Sequence, residues 1–285
     1  MKTRIDGVDV EIADKLEDFK LLINKEKTDD SPLPRNIAIE IKNVYFYIRC
    51  IEFLHERTGH DKTPLIFRGH KNSDFSLTPS IMRSDQKLRP QSSDIDKYEE
   101  KIMFEFQRHA RPFLDHLPRE DVEKWEWLAL AQHHYLPTRL LDWTYKAGTA
   151  LFFAVDDSIY GYNRFNTNPL EGDDCSCVWA ITPPNEIDIP THDNPSKITD
   201  VYTYTPPHIA PRITMQQGCF TVHPSNYCND LHQWIKGTRV IFFIKQENRN
   251  SIKSGLHSIG INRATLFPGL DGIANQITET IRRAY

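Results

Sequence analysis

The chain has 285 residues, 39% of them hydrophobic and 26% charged, and carries a net charge of −4. This balance is typical of a globular protein, and the negative charge argues against a basic nucleic-acid coat protein while leaving room for a local basic groove. No apolar run reaches about 18 residues and the first residues are charged, so we expect neither a transmembrane helix nor a secretory signal and predict a cytoplasmic protein. Five unevenly spaced cysteines are typical of free thiols.

The first half of the chain is predicted to be mainly helical. Apolar residues from Ile37 onward recur at the spacing of a one-faced helix, which predicts a helix that ends near Gly59. Residues 1–59 are therefore interpreted as a helical N-terminal extension, and residues 60–285 as the main domain. A short apolar run after Pro64 predicts a buried strand. Further helices are predicted over 98–117, 120–135 and 147–154.

The second half is predicted to supply most of the sheet. Apolar runs predict strands over 177–181, 219–223 and 239–244, and the uninterrupted apolar run of the last predicts that it is central. A helix is predicted over 248–259, and another after the turn at 267–269. These patterns predict an α+β fold, with helices in the N-terminal half packed on a mixed or antiparallel central sheet.

Arg68 ends the first predicted strand, within the triplet Phe67-Arg68-Gly69. A guanidinium in such a place must be paired or reach a cleft, because an unpaired buried charge is very costly. Its planar fork of donors suits phosphate or carboxylate, and Gly69 lets a ligand or another backbone approach closely. Arg68 is therefore a candidate anion-binding residue, with a structural salt bridge as the alternative.

A second polar stretch begins at Gln132. The adjacent His133 and His134 point about 100° apart on a helix, so both cannot readily hold one metal ion. Cys175 and Cys177 do not add a zinc-ligand spacing, and no metal site is expected. One of these histidines is interpreted as lining a cleft, and the alternative is that both are polar residues at a helix end.

Two further stretches allow a functional and a structural interpretation. Asp142 precedes a predicted helix and would suit its N-cap, or it lines a ligand wall with Arg139 and Trp143, where the indole would stack on a planar ring. Gln216 and Gln217 precede a glycine and a predicted strand. Their amides either point into a cleft or belong to a polar turn.

The order of these motifs is more specific than any one of them. Along the chain they are Phe67-Arg68-Gly69, then Gln132-His133 with Leu136-Pro137-Thr138-Arg139-Leu140-Leu141-Asp142-Trp143-Thr144, then Ala150-x-Phe152-Phe153-Ala154, then Arg212-Ile213 with Gln217-Gly218-x-Phe220-Thr221, then Leu266-Phe267-Pro268-x-Leu270-Asp271-Gly272. Over residues 60–280 this order resembles the FRG domain family. The family often has glycine after the Gln-His pair, where this chain has His134. The resemblance implies a bacterial or phage-related intracellular role such as defence, but no settled activity.

Phe67-Arg68-Gly69 is also similar to the opening motif of arginine-type ADP-ribosyltransferases. That resemblance implies that Arg68 holds the diphosphate of NAD as co-substrate, and that residues 138–144 take the place of a Ser-Thr-Ser strand. Gln216-Gln217-Gly218 takes the place of a Gln-or-Glu-x-Glu motif. A neutral glutamine cannot supply the negative charge that stabilises an oxocarbenium-like ribose, so Asp142 or another carboxylate would have to do so.

Three functional hypotheses follow. The first is a nucleotide-using, ADP-ribosyltransferase-like enzyme that takes NAD. The second is a non-catalytic module that recognises a nucleotide, a nucleic-acid end or a modified protein, and the third makes the charged residues a buried structural network. No membrane partner is expected, and the oligomeric state stays open. The ligand-binding candidates are Arg68, Gly69, Gln132, Arg139, Trp143 and Gln216. The catalytic candidates are Asp142, His133 and Gln217.

Overall fold

The computed structural model describes residues 2–5, 8–13, 15–25, 36–58, 64–83, 94–114, 118, 122–156, 175–207, 211–226, 234–235, 237 and 239–284. The strands are β1 (Lys2–Ile5), β2 (Val8–Ala13), β3 (Asn36–Glu40), β4 (Ile66–His70), β5 (Leu140–Thr144), β6 (Cys175–Ile181), β7 (Tyr202–Tyr204), β8 (Gly218–Val222) and β9 (Arg239–Lys245). The α-helices are α1 (Leu16–Lys25), α2 (Val44–Thr58), α3 (Ile95–Ala110), α4 (Glu123–His133), α5 (Ala147–Val155), α6 (Pro211–Gln216), α7 (Gln246–Ser258), α8 (Arg263–Leu266) and α9 (Leu270–Ala284).

All the described strands form one mixed sheet, in the order β1-β2-β3-β9-β6-β4-β5-β8-β7. The β2–β3 and β3–β9 pairs are parallel, and the other neighbours are antiparallel. The predicted α+β class and mixed sheet are therefore confirmed. The apolar strand β9 lies between β3 and β6, in the interior of the sheet as predicted.

Alternate side chains of each strand pack on opposite faces of the sheet, as the strand period of two requires. On β9, Val240 and Phe242 join the core under α1, α2, α5 and α7, while Ile241 faces the other side. That second face is covered by loop residues that include Leu77 and Val201. Farther along the first face, α4 packs over β5 and β8 through Leu128. No helix among the described residues is long and apolar enough to cross a membrane.

The N-terminal part of the chain differs from the helical prediction. The helix predicted from Ile37 was wrong at its start, because Asn36–Glu40 is strand β3 and the helix begins only at Val44. Besides α1 and α2, this part supplies three strands, and β3 pairs with β9 over five residues. Strands β3 and β9 lie far apart in the sequence, so local periodicity does not reveal that they pair. The domain boundary at residue 60 stays a prediction, and Gly59 lies outside the described residues.

Gly69 allows α5 to lie directly on β4. A Cβ atom built on Gly69 would overlap the main-chain oxygen of Ala150 and would lie 2.7 Å from the main-chain nitrogen of Ala154. Both neighbours are backbone atoms of α5, so neither can yield by a rotamer change. Of the two roles that the sequence allows for Gly69, the structure shows the close approach of another backbone.

We predict that Gly69→Ala strongly destabilises the protein, because α5 would have to move off the sheet. Overpacking typically costs about 1–3 kcal/mol, and a clash with backbone on both sides belongs at or above the top of that range. Gly148→Ala is the matched control, since its Cβ would meet only the flexible end of Ile261, at 2.5 Å. Urea unfolding measures both variants, and equal losses would contradict the close-approach role of Gly69.

Candidate functional site

The central feature of the site is an opening between β4 and β5. These neighbours pair only at Phe67 and Thr144. Each nevertheless stays in register with its other neighbour, β4 with β6 as far as His70 and β5 with β8 as far as Leu140. The guanidinium of Arg68 reaches across the opening, and its Nη1 donates to the main-chain oxygen of Asp142 at 2.6 Å. A side chain thus replaces the ladder hydrogen bonds at this point.

Arg68 is partly enclosed and strongly oriented. Its Nε donates to Nε2 of His70 at 2.8 Å, and its side chain is 17% exposed. Nη1 also lies 3.9 Å from Oδ2 of Asp142, whose side chain is 58% exposed. Burial lowers the pKa of Arg68 to about 10, while the charge of Asp142 raises it and that of Arg83 lowers it. The guanidinium therefore remains charged at neutral pH and faces the opening from a fixed position.

A row of hydrogen bonds extends from Asp142 along the edge of the opening. Nε2 of Gln132 donates to Oδ2 of Asp142 at 2.7 Å, and Oγ1 of Thr138 donates to Oε1 of Gln132 at 2.6 Å. The main-chain nitrogen of Leu140 completes the row by donating to Oγ1 of Thr138 at 3.1 Å. We call Arg68, Asp142, Gln132 and Thr138 the polar row. These hydrogen bonds hold the side chains of the row in place before any ligand binds.

The end of α4 delivers Gln132 to this row. After His133 the chain reverses through Tyr135, which has a φ of +64°. The main-chain nitrogen of Leu136 then donates to the oxygen of Ala131 at 3.0 Å, so the end resembles a Schellman motif. Glycine is the usual residue at such a left-handed position, because a side chain costs energy there. The strain at Tyr135 is thus located beside the site.

Two buried imidazoles, those of His70 and His223, are influenced by the charge of Arg68. The pKa of His70 is held well below its ordinary value by burial and by the charges of Arg68 and Arg83. Burial, and then the charge of Arg68, lower the pKa of His223 to about 3. Both rings are neutral at physiological pH, so neither adds positive charge near the guanidinium.

The hydroxyl of Thr221 links His223 to Trp143. Nε1 of Trp143 can only donate, and it lies 2.9 Å from Oγ1 of Thr221. That oxygen also lies 2.9 Å from Nε2 of His223. The hydroxyl therefore accepts from the indole and also forms a hydrogen bond with the imidazole of His223.

Arg139 has a different role from the one predicted. It is fully buried, and its Nε lies 2.5 Å from Oε2 of Glu99 while its Nη2 lies 2.5 Å from Oδ1 of Asp96. Its main-chain nitrogen also donates to Oε1 of Glu99, at 2.9 Å. The interpretation of Arg139 as a ligand contact was therefore wrong. This residue anchors α3 to the start of β5, as the structural-network hypothesis expects of it.

Three other assignments also change. Trp143 is 3% exposed and packs in the core, so it cannot stack on a ligand ring from the opening. Asp142 lies within β5 and does not cap α5, because the N-cap residue is Lys146. Nε2 of Gln216 donates to the main-chain oxygen of Leu266 at 3.0 Å, which links α6 to α8. Burial on one face of β5 decides the case of Trp143, and the sequence alone does not show which face of that strand is covered.

The remaining candidates, His133 and Gln217, do not join the row. His133 is half-buried, and its ring centroid lies 5.0 Å from that of His134. Gln217 is exposed, has a φ of +44°, and its main-chain oxygen accepts from the nitrogen of Tyr145 at 3.1 Å. Their catalytic roles stay predictions. Within the described ranges, no group of three or more His, Cys, Asp or Glu residues is placed to hold a metal ion.

The sequence interpretation missed several residues of the site. His70 follows Arg68 by two positions and therefore shares its face of β4, a signal that strand periodicity provides. Thr138 and Thr221 lay inside the motifs but were not distinguished from their neighbours. The charge of Arg83 acts on Arg68, and that of Arg68 acts on His223, from distant segments that no local pattern identifies.

Comparison with known families assigns this region. The family model described as FRG domain matches residues 63–160, which include β4, α4, β5 and all four residues of the polar row. The chain carries an FRG domain. No curated protein and no solved structure matches the chain. The Phe67-Arg68-Gly69 triplet and the motif that runs from Gln132 to Thr144 therefore both supply residues to the opening between β4 and β5.

The buried position of Arg139 predicts a large loss of stability for Arg139→Met. Removing the guanidinium leaves Glu99 buried without its cation, a change that typically costs about 3–5 kcal/mol. Arg108→Met, which breaks an exposed pair with Glu105, should cost no more than about 1 kcal/mol. Chemical unfolding measures both, and Glu99→Gln added to Arg139→Met should recover part of the loss. A small effect of Arg139→Met would contradict its anchoring role.

The neutral histidines predict a loss of stability in mild acid. The unfolded chain binds protons at His223 below its ordinary pKa of about 6.5, whereas the folded protein does not, so stability should fall as pH falls from there toward 3. This one group should cost about 1.4 kcal/mol per pH unit in that window. His223→Gln should reduce the pH slope of urea unfolding between neutral pH and 5, while the exposed control His109→Gln should not. Equal slopes for all three proteins would contradict the assignment.

Proposed function

We propose that the opening between β4 and β5 binds the phosphate portion of a nucleotide, with Arg68 as the anion-binding residue. The observation that carries this proposal is the state of its guanidinium, which is charged, partly exposed and held by His70 and the Asp142 main chain. Within the described part of the chain, Nε and Nη1 donate inside the protein, whereas Nη2 donates no hydrogen bond. A bound phosphate oxygen would give it an acceptor.

The polar row also supports chemistry of the ADP-ribosyltransferase type, with NAD as co-substrate. Asp142 presents an exposed carboxylate beside Arg68, and Gln132 orients it at 2.7 Å. A ligand whose diphosphate contacts Arg68 would place its ribose near a negative charge. Such a charge stabilises the oxocarbenium-like state that forms as the bond to nicotinamide breaks. In this proposal Asp142 replaces the glutamate that the Gln216-Gln217-Gly218 segment lacks.

The second candidate function is a non-catalytic binding module for a nucleotide, a nucleic-acid end or a modified protein. One observation favours it: at the place where the transferases carry a glutamate, the amide of Gln216 is engaged with Leu266 and Gln217 is uncharged. Such a module uses the same arginine and polar row for recognition and needs no carboxylate near a reacting carbon. Both candidate functions predict binding of a nucleotide, but only the first predicts that the ligand is consumed.

The binding step is tested by thermal-shift measurements with NAD, ADP-ribose, other nucleotides and short oligonucleotides. A ligand at a hundred times its Kd should add about 2.7 kcal/mol of stability. Arg68→Lys keeps the charge but loses the planar fork of donors. Both Arg68→Lys and Arg68→Ala should need more than ten times the ligand concentration to give the same thermal shift. The control Arg108→Ala, at an exposed arginine of α3, should keep the full shift. No shift with a folded wild-type protein would refute the proposal.

Turnover separates the two candidates. Wild-type protein incubated with NAD should release nicotinamide, and Asp142→Asn should lose that activity while keeping the thermal shift. The amide preserves the shape of the side chain and removes the charge that stabilises the ribose. A shift with NAD or ADP-ribose but no nicotinamide release from the wild type would favour the binding module.

A further inference from the structure

The C-terminal helix α9 has its polar and apolar faces reversed relative to an ordinary surface helix. The side that lies against the protein carries Gly272, Asn275, Gln276 and Glu279, all buried or half-buried. The opposite side carries four large apolar residues at helical spacing. Their exposed fractions are 84% for Leu270, 47% for Ile273, 53% for Ile277 and 52% for Ile281. We call these four residues the outer stripe.

Polar contacts hold α9 on the protein. Oε1 of Glu279 lies 2.5 Å from Nζ of Lys253 on α7, and Oε1 of Gln276 accepts from the main-chain nitrogen of Arg263 at 3.1 Å. A cavity of about 280 Å³ lies between α9 and the apolar wall formed by Phe152 and Ile261. The apolar residues of α9 thus contribute little to its attachment. A surface helix normally turns such a stripe toward the core, so this one requires cover from outside.

We propose that the outer stripe is the contact surface for a second copy of this chain, with the two α9 helices antiparallel. The stripe is nearly symmetric about its centre, with spacings of three, four and four residues. Reversing one helix therefore sets Leu270 opposite Ile281 of the second copy and Ile273 opposite Ile277. This self-complementarity is what a two-fold interface demands, since one patch must fit itself.

The charges of α9 favour the same arrangement. Its first turn is acidic, with Asp271, and its last turn contains Arg282 and Arg283. In an antiparallel pair, the acidic end of each helix meets the basic end of the other, which aligns the helices and opposes the parallel arrangement. A helix that lies on an anionic membrane typically carries a basic polar face. Here Asp271 and Glu279 balance the two arginines, which favours a protein partner.

This inference is independent of the nucleotide proposal, because the outer stripe lies on α9 and the polar row on β4, β5 and α4. Four residues make a small interface, so a reversible dimer is expected, whose population rises with protein concentration. Sedimentation equilibrium of the full chain over about a hundredfold concentration range should show the mass rising from that of one chain toward that of two. A wild type that stays at the mass of one chain throughout would overturn the proposal.

Variants identify the surface. Ile277→Asp should abolish the dimer without changing the circular dichroism spectrum, because its side chain is half exposed. Ile48→Asp, at an isoleucine of α2 with 49% exposure, is the matched control and should dimerise as the wild type does. Asp271→Arg should weaken association, and adding Arg282→Glu with Arg283→Glu should restore it. Loss of the dimer in both isoleucine variants, or in neither, would overturn the proposal. A monomer that binds anionic phosphatidylserine vesicles, and loses that binding in Ile277→Asp, would also overturn it.

Discussion

The site depends on one bond, the hydrogen bond from Arg68 to the main-chain oxygen of Asp142 across the opening between β4 and β5. Where two strands separate inside a sheet, their backbone groups lose ladder partners. Arg68 supplies the missing donor. The same bond fixes the guanidinium at the opening, where the side chain is 17% exposed. The side chain that completes the backbone hydrogen bonding is thus the one for which we propose anion binding.

The two arginines of the family motifs illustrate how burial divides similar residues between roles. Arg139 is enclosed completely and has two carboxylates, Glu99 and Asp96, so its charge is neutralised inside the protein. Arg68 has neutral His70 and only a distant, exposed carboxylate at 3.9 Å. A charge compensated internally stabilises the fold, whereas one left partly uncompensated at an opening attracts an anion. The positions of these carboxylates therefore distinguish Arg139, which anchors the fold, from Arg68, the candidate site residue.

The hydrogen-bonded polar row and the exposed outer stripe of α9 place the two proposals in separate parts of the molecule. At the row, the end of α4 at Tyr135 and the hydrogen bonds of Gln132 hold side chains ready for a ligand. At α9, the contacts of Glu279 and Gln276 with the protein leave apolar surface outside. The pre-ordered polar row lowers the entropy cost of binding a ligand. The outer stripe remains exposed within one chain, so its burial would favour association with a partner.

The sequence by itself determined the α+β class, the buried strand ending in the Phe-Arg-Gly triplet, the helix of small residues after β5 and the central position of β9. These follow from local periodicity and from uninterrupted apolar runs. It also identified Arg68, Gln132 and Asp142 as polar residues in otherwise buried segments. Only the tertiary structure decided that β3 joins β9, that Trp143 faces the core and that Arg139 meets Glu99. Those outcomes depend on which segments from far along the chain cover each face of a strand, and a local pattern carries no information about its distant partners.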